Sequence, residues 1–415
     1  MKQPTLKLSF VRAAVVCAAF SWAMPAAAAD FQFTPSLSVS EEYNDNILDS
    51  ALDEKSDFVT RVQPGAVLSY RAPSFNGDLS YHFEYQKYAR GTMDDEQVHN
   101  LTLRGKAELV DNFFFLELSD TFSRVSQDVA RDVTTESLNL NQTDQNVANV
   151  SPYLLWRLGS KSTLKTGYRF TDTSYWGSPG IDKRENWLFA DLSHEPAPRL
   201  NLTAGYAYGR ANTDLADYDQ HNVSSGFRYE YAGKSFLYGG VGNSWQAFSD
   251  DISVSNLFWH AGISKDFSPV VAALETRVQY TEDPLTISTK ETSYSARLEK
   301  TLEHGSIGIS STHAKYQDTR TDAPDRRKTA VSGFMRYEMS PRLTTSVILT
   351  GDKVSRRTSQ DYPYHFSGTV GGSYGFNYDI SVSLYYSYID YRSDLDSAAG
   401  ARQTNRVVLT LKKTF

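Results

Sequence analysis

The sequence has one cysteine, and it has no apolar segment long enough to form a membrane-spanning helix. That cysteine, Cys17, lies within the first 29 residues. The rest of the chain can therefore form no disulfide, no thiolate metal site and no cysteine nucleophile. A phosphate-binding loop, a dinucleotide-binding fingerprint and zinc-ligand spacing are also missing. We expect no cofactor and no metal.

One motif points to catalysis. Residues Gly371–Gly375 read G-G-S-Y-G and match the G-x-S-x-G nucleophile elbow around Ser373. That elbow needs a strand, a sharp turn and a helix. The flanking residues instead alternate between polar and apolar, as they do in a continuous strand. We therefore predict no catalytic residue and no enzymatic activity.

The N-terminus has the features of a secretory signal peptide. Lys2, Lys7 and Arg12 precede a short apolar segment, Ala13–Met24, and small residues follow it up to Ala29. A membrane anchor would need about 20 apolar residues. We expect residues 1–29 to be cleaved as a signal peptide and residues 30–415 to be exported.

The exported part is acidic. Without the three cations of the first 29 residues, 39 of the 42 Lys and Arg remain against 49 Asp and Glu, a formal charge of −10. A nucleic-acid-binding protein needs a basic surface. We therefore expect no nucleic-acid partner.

Alternating polar and apolar residues recur throughout residues 30–415, in segments separated by polar breaks. In Asp78–Arg90, for example, Leu79 and Tyr81 alternate with Ser80 and His82. Charged residues lie in the middle of many such segments, which is unusual for a soluble sandwich with an apolar core. A membrane barrel has an apolar face towards lipid and a polar lumen. The breaks also alternate between short and long, as periplasmic turns and extracellular loops do.

The sequence therefore predicts an all-β fold: a single transmembrane antiparallel up-and-down β-barrel of about 18–20 strands in the outer membrane of a Gram-negative bacterium. The first strand is expected near Thr34–Tyr43 and the last at Gln403–Phe415. In the last strand, Val407, Leu409 and Phe415 share one face. This ending resembles the C-terminal strand of outer-membrane barrels, and the resemblance implies that Phe415 is an assembly signal for the barrel assembly machinery.

Two residues do not fit the alternation. Asp120 falls on the face predicted to contact lipid, which implies a strand end, a bulge or an error of phase. Lys413 shares a face with Phe415, and we expect it at the periplasmic rim, where charge costs little.

Charged residues of both signs are predicted to line the lumen. They can either brace the barrel interior as a charge network or form the wall of a hydrated, weakly selective conduit. Tyr88 and Trp187 also phase inward, although most Tyr and Phe are expected in the lipid-facing girdles. The predicted lumen-lining residues are Arg61, Glu84, Arg104, Lys106, Glu117, Arg228, Glu230, Glu275, Arg277, Arg297, Glu299, Arg336 and Glu338.

The longest break, Ser126–Asp144, is predicted to be the third extracellular loop. The third loop of general porins folds into the lumen and constricts it. This loop can do the same or remain on the surface.

The segment Pro35–Tyr70 resembles the start of the β-barrel porin-2 family of outer-membrane proteins. The features that match are Tyr43–Ile47 (YNDNI), Ser56–Phe58, Thr60–Arg61 and Pro64–Gly65. Members are often encoded with exopolysaccharide genes. The resemblance implies an outer-membrane exit for a secreted polysaccharide, with outer-membrane lipid and a periplasmic polysaccharide export protein as partners. The alternative is a diffusion porin for small polar solutes.

Overall fold

The computed structural model describes residues 29–127, 142–177, 180–281, 284–287, 289–319, 324–356, 363–393 and 401–415. They form one 20-stranded sheet. The strands are β1 (Asp30–Asn44), β2 (Asp57–Ala72), β3 (Phe75–Tyr88), β4 (Glu96–Val110), β5 (Phe114–Ser126), β6 (Gln142–Arg157), β7 (Ser162–Trp176), β8 (Lys183–Ala197), β9 (Leu200–Thr213), β10 (Tyr218–Ala232), β11 (Ser235–Phe248), β12 (Ser253–Asp266), β13 (Val270–Thr281), β14 (Thr289–Leu302), β15 (Gly305–Asp318), β16 (Pro324–Ser340), β17 (Leu343–Arg356), β18 (Tyr364–Gly375), β19 (Ile380–Arg392) and β20 (Arg402–Thr414).

The sheet is a closed up-and-down barrel. Each strand pairs antiparallel with its neighbours in the chain, and β20 pairs with β1 from Ser36↔Thr414 to Asn44↔Arg406. Closure leaves no sheet edge, so backbone N–H and C=O groups are paired within the bilayer. The predicted fold class is confirmed, and the number of strands is at the upper end of the predicted range.

The outer face of the barrel is apolar. Leu274 and Leu349 are each 59% exposed, and Leu411 in the last strand is 51% exposed. Such exposure over a whole circumference would be unfavourable in water, whereas in a bilayer these side chains contact lipid.

The connections alternate in length as the sequence predicts. Two residues join β16 to β17, whereas residues 45–56 join β1 to β2. Several short turns contain a residue in the left-handed region, including Asn112 (φ 55°) and Lys234 (φ 57°), as tight hairpin connections require. Asp30 and Thr414 lie at the short-turn end. The opposite end of the barrel is called the long-loop end below.

Among the described residues, no helix is long and apolar enough to cross a membrane.

Candidate functional site: the polar inner face

The strand register places all the residues predicted to line the lumen on one face of the sheet. Lys106 lies opposite Glu117, for example, and Glu275 lies opposite Ser295. The same alternation connects the remaining residues around the barrel.

This face is the concave one, because its side chains meet across an intervening strand. Tyr238 on β11 donates a hydrogen bond to Glu275 on β13 (2.9 Å). Lys165 on β7 lies 3.8 Å from Glu117 on β5. It is called the inner face below.

Several of the predicted residues form ion pairs on the inner face. Arg61 lies 3.4 Å from Glu84 and 2.6 Å from Glu42, a residue that was not predicted to line the lumen. Further pairs are Lys106–Glu117 (3.7 Å), Arg277–Glu275 (3.8 Å) and Arg297–Glu299 (2.5 Å).

The other predicted residues are placed differently. The Arg228 guanidinium lies 4.1 Å from the centre of the Phe236 ring. Glu230 and Glu338 lie at register shifts beside short turns, and Arg336 precedes one of those shifts by two residues.

Exposure of the inner face changes along the barrel axis. Towards the short turns the charged side chains are open to solvent: Lys106 is 51% exposed and Arg297 58%. Towards the long loops they are enclosed, and the Glu42 side chain is only 3% exposed. The described residues therefore form an interior that is open to solvent at the short-turn end and closely packed with side chains at the long-loop end.

At the long-loop end, buried inner-face residues form a belt around the interior. It is called the buried belt below and includes Glu42, Asp57, Val59, Tyr88, Thr173, Glu185, Tyr218, Gln246, Phe248, Thr289, Tyr316, Asp352, Val354, His365, Ser387 and Tyr391.

The β1–β2 connection packs onto this belt. Ile47 is completely buried against Val59 and Tyr88. The Asn46 side-chain amide donates to the carbonyl of Gln403 (2.9 Å). The first long loop is thereby fixed across the junction where the barrel closes.

Asp49 lies in the same loop, outside the strands. Burial raises the pKa of its carboxyl to about 6, although the nearby Arg402 and a hydrogen bond from Thr404 oppose that shift. Asp49 is therefore partly protonated slightly below neutral pH.

The β13–β14 hairpin also bends inward. The ladder between β12 and β13 ends at His260↔Arg277, so the last residues of β13 leave β12. Lys290, near the start of β14, donates to the side chain of Asn256 (2.8 Å). The tip of the hairpin thus lies against the inner face, at a place where the sequence pattern does not predict a constriction.

Ile287 anchors this tip. It is 7% exposed and packs against Tyr218, Phe248 and Ala211, all inner-face residues. The carbonyl of Pro284 also accepts a hydrogen bond from the backbone N–H of Ile181 (2.9 Å). Ser126–Asp144, the loop expected from sequence either to constrict the lumen or to remain on the surface, lies largely outside the described residues.

Inner-face aromatic rings lie close over glycines of neighbouring strands. A Cβ atom at each of these glycines would overlap the ring. These aromatic side chains are half-buried, so part of each ring remains accessible from the interior. The ring–glycine pairs include His82–Gly65, Trp187–Gly209, Tyr238–Gly262, Phe258–Gly242, Phe334–Gly308 and Tyr385–Gly371.

A second aromatic group on the inner face is covered by cations. Phe115 and Tyr153 stack with centroids 5.1 Å apart. The Lys165 ammonium lies 3.9 Å from the centre of the Tyr153 ring, and Arg169 lies 5.3 Å from that of Phe189. These aromatic residues lie on the same face of the sheet as Glu117. Assigning every residue of each strand to a face by alternation would therefore have predicted them from the sequence.

Ser373 lies in the extended strand β18, opposite Ser383. The strand–turn–helix context of a nucleophile elbow is therefore not present around it. On the same strand, His365 forms a buried pair with Asp352 (2.6 Å). Eight residues of extended chain, about 27 Å, separate His365 from Ser373.

Asp120 lies within β5 on the outer face, between Leu103 and Ala148 of the adjacent strands. The predicted phase was therefore correct, and neither a strand end nor a bulge accounts for this residue. Its carboxyl is half-buried and interacts with the side chain of Asn146 on the same face. Lys413 lies at the short-turn end, as predicted, and its ammonium contacts the carbonyl of Tyr378.

Solved structures with the same fold are large outer-membrane barrels. The FrpB iron transporter from Neisseria meningitidis matches with a TM-score of 0.58 at 10% identity, over 93% of this chain and 83% of that one. The copper transporter OprC gives 0.57 at 11% identity, over 93% and 81%. A variant of the ferric enterobactin receptor PfeA from Pseudomonas aeruginosa gives 0.53 at 9% identity, over 92% and 80%.

No protein-family model matches the chain, and no curated protein matches it in sequence. The resemblance to the β-barrel porin-2 family therefore finds no support here. The closed sheet, its apolar outer face and the shared fold define the class: a large β-barrel of the outer membrane of a Gram-negative bacterium. This fold is used by outer-membrane transporters.

Proposed function

We propose that this barrel is an outer-membrane channel for a carbohydrate chain, serving as the exit for a secreted polysaccharide. In this proposal the polysaccharide enters from the periplasm at the solvent-open short-turn end. The lumen supplies a hydrated wall and no chemistry. The buried belt and the β13–β14 hairpin restrict passage at the outer end until they move.

The observation that carries the proposal is the set of half-buried aromatic rings that lie over glycines on the inner face. Trp187 and Phe258 each lie over a glycine of the neighbouring strand, and each is half-buried, so part of the ring remains accessible from the interior. The axial C–H groups of a pyranose ring pack on such a ring, and the interaction needs no particular sequence of sugars. The repeated aromatic rings therefore offer many weak contacts to a moving polysaccharide without narrowing the lumen.

The charges of the inner face support the same proposal. Pairs such as Lys106–Glu117 and Arg277–Glu275 leave little uncompensated charge while keeping the wall hydrated. A wall of mixed sign also suits small polar solutes, and a diffusion porin is the second candidate. The names of the structural neighbours concern iron, copper and a siderophore, and at about 10% identity that likeness concerns the fold.

The test is the passage of oligosaccharides of increasing length through proteoliposomes. The proposal predicts that retention in the lumen rises with chain length, and that W187A together with F258A makes the rise less steep. Trp259 faces lipid on β12, so W259A is the matched control and should change nothing. Equal behaviour of the inner and outer variants, with free passage of small solutes only, would favour the diffusion porin.

In cells, deletion of the gene should abolish secreted polysaccharide and spare the uptake of small solutes. The opposite phenotype would exclude export. A periplasmic export protein that co-purifies with the barrel and cross-links to its short turns would be the partner that the proposal requires.

A further inference from the structure

The inner face of β3–β7 contains a recess of about 550 Å³, within the size range of small-ligand sites. Arg104, Lys106, Glu117, Ser119, Asn149 and Arg169 are among the residues that line it. Arg104, Ser119 and Asn149 lie in one row across adjacent strands, since Arg104 pairs with Ser119 and Ser119 with Asn149. Lys106 and Glu117 lie in the next row towards the short turns.

Both carboxylates of the recess already have cationic partners. Glu117 lies 3.7 Å from Lys106 and 3.8 Å from Lys165, and it accepts a hydrogen bond from the Tyr153 hydroxyl (3.0 Å). Asp78 accepts two hydrogen bonds from Arg71, at 2.7 and 2.9 Å.

Arg104 and Arg169 are different. Among the described residues, neither guanidinium has a carboxylate oxygen within 4 Å. Arg169 instead lies over the Phe189 ring, which holds the side chain against the wall and leaves its N–H groups available. The recess therefore presents two guanidinium groups with free donors, although carboxylates are present nearby.

This arrangement selects a particular ligand chemistry. A guanidinium fork matches a carboxylate with two parallel hydrogen bonds, and such bonds are stronger than those between neutral groups. The Asn149 amide donates to the Ser119 hydroxyl (3.3 Å) and accepts from Thr171 (2.7 Å), which leaves the Ser119 O–H and the second Asn149 N–H to donate to sugar hydroxyls. Arg104 and Arg169 are three strands apart, about 14 Å between backbones, so two sugar units fit between them.

We propose that this recess is a binding subsite for a carboxylate-bearing sugar, with Arg104 and Arg169 binding the acidic groups. The inference rests on the proposed carbohydrate function and narrows the cargo to an acidic polysaccharide. Glu117 sets the positions of Lys106 and Lys165 and does not contact the carboxylate.

The test is isothermal titration calorimetry on the detergent-solubilised mature barrel. The probes are trigalacturonic acid and a neutral trisaccharide of equal length. We expect the acidic probe to bind at least 10-fold more tightly to the wild type. R104Q combined with R169Q should abolish that preference and leave binding of the neutral probe unchanged.

Two controls make the result specific. Arg336 is an inner-face arginine outside the recess, so R336Q should retain the preference. R104K with R169K keeps the charge and loses the fork, so it should weaken binding of the acidic probe while general anion selectivity is kept. An equal loss in R336Q, or no preference in the wild type, would overturn the subsite.

The flux assay separates this inference from the proposed function. Passage of neutral and acidic oligosaccharides without any preference in calorimetry would remove the subsite and leave the channel. Selective binding of the acidic probe without passage of any saccharide would remove the channel and leave the subsite.

Discussion

Truncation of Ile287 should release the β13–β14 hairpin from the inner face and open the long-loop end. The side chain is 7% exposed and packs against Tyr218, Phe248 and Ala211. Replacing a buried Ile with Ala costs about 2–5 kcal/mol. With about 3 kcal/mol lost, the ratio of docked to released hairpin falls roughly 100-fold, at one factor of ten for each 1.4 kcal/mol.

The assay is single-channel recording in planar bilayers. I287A should spend a far larger fraction of time in a high-conductance state than the wild type. The matched control is L285A in the same hairpin, because Leu285 is 51% exposed and loses a similar number of atoms. It should behave as the wild type does.

The reasoning would be refuted by an I287A channel whose conductance and open fraction equal those of the wild type. Equal opening by L285A would also refute it, since the effect would then come from the loop in general. A gel-shift test of heat-modifiable folding excludes a trivial loss of the barrel.

Three further predictions concern assembly, pH and packing. Deleting Phe415 should prevent outer-membrane insertion, measured as the loss of the folded, heat-modifiable band from membrane fractions; normal insertion would remove its role as an assembly signal. Folding of the β1–β2 loop onto the barrel raises the pKa of Asp49 from 3.8 to about 6. The docked loop is therefore most stable below pH 3.8, and it loses this stabilisation as the pH rises through about 6. The amide of Ile47, bonded to the carbonyl of Lys55, should be protected about 10-fold more at pH 5 than at pH 8 after correction for intrinsic exchange, and D49N should lose this difference. Gly209→Ala should lower the free energy of unfolding by about 1–3 kcal/mol, because the new Cβ would lie 2.5 Å from Trp187 ring atoms. Gly333→Ala is the control and should be tolerated, since the nearest atom to its Cβ is 3.9 Å away. Equal urea midpoints for the two variants would contradict this prediction.

Alternation was sufficient to predict the barrel because the two sides of the wall contact different solvents. Most strands place aliphatic or aromatic side chains towards lipid and polar side chains inward, so adjacent residues such as Leu409 and Thr410 indicate which face each one occupies. The lengths of the connections likewise follow from the two ends of the barrel. The number of strands needed the structure, because alternation does not mark where a strand ends.

The features of the site that could not be predicted from the sequence depend on contacts between segments that are distant in the chain. The inward bend of the β13–β14 hairpin depends on Ile287 meeting Phe248, and nothing in the local pattern of either residue encodes that contact. The ring–glycine pairs can be predicted only when the residue opposite each aromatic side chain is known. Gly209, for example, lies opposite Trp187. Register, and not alternation, supplies this information.

The most direct test of the central claim uses the absence of cysteine from residues 30–415. Arg297 and Leu298 are adjacent in β14 and similarly exposed, with 58% of the Arg297 side chain and 51% of Leu298 accessible. Single-cysteine variants R297C and L298C in native outer membranes would be treated with a charged, membrane-impermeant thiol reagent applied from both sides. We predict modification of R297C and protection of L298C, because the first side chain contacts water in the lumen and the second contacts lipid. Equal modification of both, or modification of L298C alone, would contradict a water-filled barrel with this inner face.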